Sequence, residues 1–200
     1  MSMKTPKAER TRKFIITQTA PVFNRKGFAG TSMSDLMLAT GLSKGAIYGR
    51  FKNKDQIALE AFDFNMKQIT SVIGEMMTGL TSPVDKLWVF PKFYREVFKR
   101  KHMKLGCPIV NSAPEADDTH QAIRKHVNLA IKYWDQTIRE IIKDAILEKE
   151  IRSEIDPGKI AAAMITQIEG GILITKSTGD MRYMNTALDQ VEKMIDEIVI

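Results

Sequence analysis

Residues Thr31 to Lys54 read TSMSDLMLATGLSKGAIYGRFKNK, and this stretch decides how the rest of the chain is read. Ser32 followed by Asp35 has the spacing of a capping box, so a helix is expected from Met33 to Thr40. Gly41-Leu42 interrupts it, Ser43 can cap a second helix, and that helix is expected from Lys44 to Phe51. Two short helices joined by a tight turn containing glycine form a helix-turn-helix. The second helix of such a pair fits the major groove of B-DNA, with the residues near its start facing base edges. Leu36, Leu42, Ile47 and Phe51 fall where they can bury against the first helix. Lys44, Gly45, Tyr48 and Arg50 are then left for a duplex, and Gly45 is small enough for close approach to its backbone.

The charge distribution supports a polyanion partner. Residues 1–54 hold eleven Lys/Arg and two Asp/Glu, a balance of +9, whereas residues 55–200 carry −3. The whole chain of 200 residues is only +6, so the basic block is segregated rather than general. Nucleic acid is the first expectation and an anionic membrane surface the second. Domain boundaries are accordingly expected at 1–54 and 55–200.

Outward from that block the periodicity is helical nearly throughout, and no alternating run bounded by hairpin turns is found. A helix is expected before the motif from about Pro6 to Lys26, stopping at Gly27, with Pro21 inside it. Asn53 with Gln56 can start a long helix to about Met77. Ser82-Pro83 marks another, bent at Pro91, and Gly106-Cys107-Pro108 marks a break followed by a short helical stretch to Asp118. A helix is expected from about His120 to Ile151, with a long apolar stripe from Ile123 through Val127, Trp134 and Ile138 to Ala145. Asp156-Pro157 opens a further helix to about Lys176, and Asn185 is the expected cap of the last. The fold class is all-α: a helix-turn-helix three-helix domain followed by a larger helical domain.

At these residues the chain resembles the TetR (tetracycline repressor) family of bacterial transcription regulators. The resemblance rests on Ile15-Ile16, Phe23, Gly27-Phe28, Thr31-Ser32, Asp35-Leu36, the run Gly41 to Tyr48, Phe51 and Lys54, and covers roughly residues 9 to 60. Ala46 stands where a hydroxyl residue is frequent in that family, and Arg50 where an aromatic or histidine is common, which bears on the operator and not on the fold. The resemblance implies a homodimeric, ligand-responsive repressor of a double-stranded DNA operator, without enzymatic activity. The DNA-facing set is expected to be Thr31, Ser32, Ser43, Lys44, Gly45, Ala46, Tyr48, Gly49, Arg50 and Lys54. A small, largely apolar effector is expected among Met66, Trp88, Phe93, Tyr94, Met103, Cys107, Trp134 and Glu169, between the helix from Lys54 and the helix bent at Pro91. The dimer seam is expected at Ile138, Ile141, Ala161, Ile165, Ile168 and Ile172.

Other chemistry is weakly supported. Gly41 to Gly45 matches the G-x-S-x-G nucleophile elbow, but that elbow needs a preceding strand and an α/β sheet. Ser43 reads better as a helix cap. His120 and His126 are six residues apart and cannot share a helix face for a metal, so both are expected as surface histidines. The single cysteine, Cys107, excludes a disulfide framework and a four-thiolate zinc site, and reads as a buried structural thiol rather than a redox sensor. Glu169 on an apolar face is open between a pocket group, a seam contact and a solvated charge. No cofactor and no metal are expected. No secretory signal is visible in Met1 to Lys13, and no apolar run approaches the ~20 residues that span a bilayer, so a cytoplasmic location without membrane contact is expected. The rival readings are a small all-α enzyme or ligand carrier with an incidental helix-turn-helix, and a membrane-surface protein.

Overall fold

The computed structural model describes residues 7–99, 107–116 and 120–200. Its described residues form helices α1 (Lys7–Lys26), α2 (Met33–Thr40), α3 (Lys44–Tyr48), α4 (Lys54–Met77), α5 (Pro83–Lys99), α6 (Pro108–Ala116), α7 (Gln121–Leu147), α8 (Pro157–Thr178) and α9 (Met181–Ile198). The only extended pairing among them is an isolated bridge between Ile151 and Val199. The all-α expectation therefore holds.

Contacts divide the chain into two compact units. One comprises Met1–Gln68 with Asn111–Val127, the other Ile69–Val110 with Asn128–Ile200. This division by contacts differs from the boundary expected at residues 54 and 55. The first part of α4 packs into the amino-terminal core through Ile57, Ala58 and Ala61, alongside Ile15, Phe23, Leu36, Ile47 and Phe51. Composition could not show this, because the basic block ends where the helix begins, not where its packing ends.

The capping chemistry explains most helix starts. Ser32 and Asp35 form a reciprocal box in which the Asp35 amide donates to Ser32 Oγ and the Ser32 amide donates to Asp35 Oδ2 at 2.9 Å. Ser43 Oγ accepts from the Ala46 amide at 3.2 Å, which settles its role as the cap of α3. Asp156 caps α8 ahead of Pro157. Gly41, with φ +68°, supplies the left-handed turn between α2 and α3.

Three boundaries differ from expectation. α3 ends at Tyr48, three residues early. α7 ends at Leu147 because Lys149 adopts φ +60°, a conformation that no local residue type signals for lysine. The last helix starts four residues before Asn185, since Asp180 accepts from the Arg182 amide just after Gly179 closes α8. Pro91 does not interrupt α5, which continues through it to Lys99.

In the carboxy-terminal unit α8 packs on α9 and α5 packs on α9. Gly171 allows the first contact: a Cβ there would lie 2.7 Å from Ala187 Cβ. Arg95 on α5 holds Glu192 on α9 at 2.7 Å and also Asp189, and these partners push its pKa up. Leu87, Phe90, Ile138, Met164, Ile172, Met184 and Leu188 are buried in this unit and contribute to its hydrophobic stabilisation.

Candidate functional site

The amino-terminal unit builds a rigid platform for α3. Ile47 is fully buried, so the opposite face of this helix is fixed outward. Ser43, Lys44, Gly45, Ala46, Tyr48, Gly49 and Arg50 are all exposed together. Lys44 Nζ lies 5.9 Å from the Tyr48 ring centroid, which groups a cation and an aromatic hydroxyl on one surface. A Cβ added at Gly45 would meet nothing within 4 Å, so the space above this residue is open.

Two expected DNA contacts turn inward. Thr31 is 1% exposed, and its hydroxyl donates to Gly27 O at 2.6 Å. Lys54 Nζ donates to Phe28 O and Thr31 O, both at 2.9 Å, and sits 4.2 Å from the Phe28 ring centroid. Both residues therefore lock the loop between α1 and α2 rather than facing a duplex. Ser32 is exposed, but its hydroxyl is engaged with Asp35. Lys26 lies 2.6 Å from Asp35, and together with the Ser32 hydrogen bonds it pulls that carboxyl down to about 2.

Several positioning residues were missed in the sequence. Arg12 on α1 bonds the Arg50 carbonyl and Glu60, and its guanidinium lies 4.2 Å from the Phe51 ring centroid. It ties the end of the reading segment to α1 and α4. Glu115 accepts from the Phe28 amide at 2.5 Å and the Ala29 amide at 3.3 Å, so α6 grips the same loop. The two histidines are not simply solvated. His120 accepts from the Ile123 amide at 3.3 Å and packs edge-on against Phe28, while His126 Nδ1 lies 2.7 Å from Asp63 Oδ1. The pairs Arg12–Glu60 and Phe28–Glu115 are 48 and 87 residues apart, beyond the reach of any local pattern.

The carboxy-terminal unit contains a small cavity of about 20 Å³. It is lined by Phe90 and Tyr94 of α5, Trp134 and Ile138 of α7, and Ile165, Ile168 and Glu169 of α8. Of the expected pocket residues, Tyr94, Trp134 and Glu169 thus come together. Cys107 joins them by donating its thiol to Glu169 Oε1 at 3.1 Å, and Phe93 packs edge-on against Tyr94 at 5.0 Å. Trp88 is half-buried with Lys92 Nζ 5.9 Å from its ring. Met66 belongs to the amino-terminal unit, and Met103 lies outside the described residues. Burial pushes the Glu169 carboxyl up to about 7, against a smaller downward pull from the Cys107 hydrogen bond. Burial and the neighbouring Glu169 raise the Cys107 thiol, which makes it a poor nucleophile.

The residues expected at the dimer seam are placed as follows within the single chain. Ile138, Ile141, Ala161, Ile168 and Ile172 are buried within their own unit, and Ile165 is half-buried at the cavity. Within one chain this stripe packs into the core of the carboxy-terminal unit. The exposed apolar side chains of α8 and α9 are Leu173, Ile174, Met181 and Tyr183, next to an open groove of about 490 Å³ that includes Gly170, Ile174, Tyr183 and Thr186.

Among the described residues no cluster of three His, Cys, Asp or Glu side chains could hold a metal, and no helix is long and apolar enough to cross a membrane. Residues 15–61 match the family model described as bacterial regulatory proteins, tetR family. Residues 83–191 match the model described as tetracyclin repressor-like, C-terminal domain. A TetR-family transcriptional regulator from Cytophaga hutchinsonii has a similar structure, with TM-score 0.91, 40% identity and 99% of each chain covered. A TetR transcriptional regulator from Chloroflexus aurantiacus J-10-FL superposes with TM-score 0.89 at 34% identity, covering 96% of this chain and 98% of that one. The transcriptional regulator LmrA of Bacillus subtilis is 25% identical over 166 residues, 82% of this chain and 86% of the relative.

Proposed function

The chain belongs to the tetR family of bacterial regulatory proteins, and from that premise we propose that it represses transcription as a homodimer whose α3 reads an operator and whose carboxy-terminal unit takes a largely apolar effector that releases it. The observation that carries this reading is the exposed face of α3 and the turn after it, with Lys44, Tyr48 and Arg50 outward beside a fully buried Ile47 in a segment of +9. Lys44 and Arg50 supply phosphate attraction, and Tyr48 with the amides near Gly45 supplies register. The protein acts without catalysis and in the cytoplasm.

One short recognition helix covers too few base pairs for useful specificity, so twofold pairing with half-sites about 34–36 Å apart is required. Regulators of this family bind operators as dimers. We assign the pairing surface to the outer side of α8 and α9, where Leu173, Ile174 and Tyr183 are exposed. Gly170, with open space above it, permits close approach there. Ile174→Glu should give a monomer by sedimentation that retains its helix content.

Selection of bound fragments from genomic DNA tests the whole reading. Lys44→Ala and Arg50→Ala should each weaken binding to all sequences and flatten the salt dependence by roughly one unit per lost phosphate contact. Unchanged binding in both variants would overturn the assignment of α3.

A further inference from the structure

The cavity between α5, α7 and α8 contains a chemical contradiction. Its walls are apolar and aromatic, yet Glu169 Oε2 is sealed from solvent and has no hydrogen-bond partner among the described residues. Trp134 Nε1, on the opposite helix of the same cavity, is equally sealed and unpartnered. Glu169 Oε1 already accepts the Cys107 thiol, so the free acceptor of this carboxyl is Oε2 alone. An apolar residue at 169 would continue the stripe of Ile165, Ile168 and Ile172 and would avoid the desolvation of a carboxyl. Buried polar groups in native proteins are nearly always satisfied, so two orphans at one cavity call for a missing partner.

The missing partner has a definite chemistry. It must offer a hydrogen-bond donor to Glu169 Oε2 and tolerate three aromatic walls, since Phe90 and Trp134 meet edge-on at 5.8 Å and Tyr94 completes the ring set. A protonated amine does both, because it is attracted to a carboxylate and to ring faces alike. An anion is repelled by Glu169 and by the acidic balance of residues 55–200, which is −3. The volume of about 20 Å³ accepts one ammonium group and no more, so the apolar body of the molecule must displace neighbouring side chains. At neutral pH the carboxyl, with a pKa pushed to about 7, is about half ionised, and a bound cation draws it further to the carboxylate.

We propose that Glu169, Trp134 and the aromatic walls of Phe90 and Tyr94 form the headgroup subsite for an effector that is an amphiphilic organic amine. This rests on the reading of the carboxy-terminal unit as the effector-binding part. The Trp134 N–H then serves a second, acceptor atom on the ligand or on the water that accompanies it.

The test uses the full-length protein and three compounds with one apolar body: 4-phenylbutylamine, 4-phenylbutan-1-ol and 4-phenylbutanoate. Calorimetric titration should show the amine binding saturably and about tenfold more tightly than the alcohol, with no saturable binding of the carboxylate. Glu169→Gln should weaken the amine about tenfold and the alcohol far less, which also proves that the variant is folded. Trp134→Phe keeps the ring and removes the N–H, and should leave the preference for the amine intact. Equal affinity for amine and alcohol, or unchanged amine affinity in Glu169→Gln, would overturn the proposal. Saturation by none of the three would make the cavity a hydration site and overturn it too. Mobility shift of selected genomic fragments, run in parallel, separates the two readings: DNA binding without amine preference defeats only this inference, and amine preference without DNA binding defeats only the repressor.

Discussion

Thr40 and Thr175 are the same residue, both buried, one in each unit, and their hydroxyls fare differently. Thr40 Oγ1 donates to Leu36 O at 2.7 Å and accepts from the Leu42 amide at 3.2 Å, so it stitches α2 to the turn that follows. Thr175 Oγ1 on α8 has no partner among the described residues. The contrast extends to the neighbours. Among the described residues, the other buried polar side chains of the amino-terminal unit, Thr19, Asn24 and Thr31, are all hydrogen-bonded, whereas the carboxy-terminal unit holds the sealed orphans Trp134, Glu169 and Thr175. A surface that must present fixed atoms to a duplex gains from complete satisfaction, because every bond removes an alternative geometry. A region that must accept a molecule from solvent retains unmet hydrogen-bonding capacity for it.

The strongest way to break this contrast is to destabilise the rigid side. Ile47→Ala removes a fully buried side chain from under α3 and should cost about 2–5 kcal/mol of stability. Operator binding should vanish in a mobility shift while calorimetric ligand binding by the other unit survives. Simultaneous loss of both would show that the units do not differ as described.

The second prediction concerns pH. Glu169 has a folded pKa raised to about 7, above the ordinary carboxyl value of 4.5. Between those values the native state binds more protons than the unfolded one, so stability falls as pH rises through this window and levels off above it. The decline is at most about 3 kcal/mol. Chemical denaturation at a series of pH values should show it, and Glu169→Gln should flatten it. Asp35, pulled down to about 2, has the opposite sign: its contribution is present above the ordinary carboxyl value of 3.8 and is lost progressively as pH falls from there through about 2.

Smaller still is the direct comparison of the two threonines. Thr40→Val removes the acceptor of the Leu42 amide and should destabilise by about 1–2 kcal/mol. Thr175→Val removes an unsatisfied hydroxyl and should be neutral or stabilising by up to about 1 kcal/mol. Equal effects in thermal melts would erase the distinction. The smallest stability change belongs to Gly45→Ala. Nothing within 4 Å opposes a Cβ there, and alanine in a helix gains up to about 1 kcal/mol over glycine. Operator affinity should nonetheless fall, because the methyl occupies the space a phosphate or base edge would approach.

Much of the amino-terminal unit was legible because its information is local. The capping box at Ser32 and Asp35, the left-handed Gly41 and the cap at Ser43 each act within three or four residues. The inward turn of the Thr31 and Lys54 side chains has a physical cause: a basic or hydroxyl side chain in a basic loop looks outward until the loop is closed by it. The dimer seam is harder to read for a related reason. A stripe such as Ile138, Ile141, Ile168 and Ile172 shows that a helix face is buried, but not whether its own chain or a second copy buries it. Glu169 was noticed as an anomaly on an apolar face, and only the arrival of Trp134, Tyr94 and Cys107 from other helices gave it a context.

The grip of Glu115 on the amides of Phe28 and Ala29 has a consequence for anyone who would transplant this reading head. A graft cut after residue 68 would carry α1, α2 and α3 intact and still lack the carboxylate that closes their connecting loop, together with the His120 and His126 contacts to Phe28 and Asp63. The portable module is discontinuous. During synthesis the same arrangement postpones completion: the loop before α2 gains its last two hydrogen bonds only after residue 115 has left the ribosome, so a nascent chain that stalls earlier presents a recognition helix on an unfinished mount.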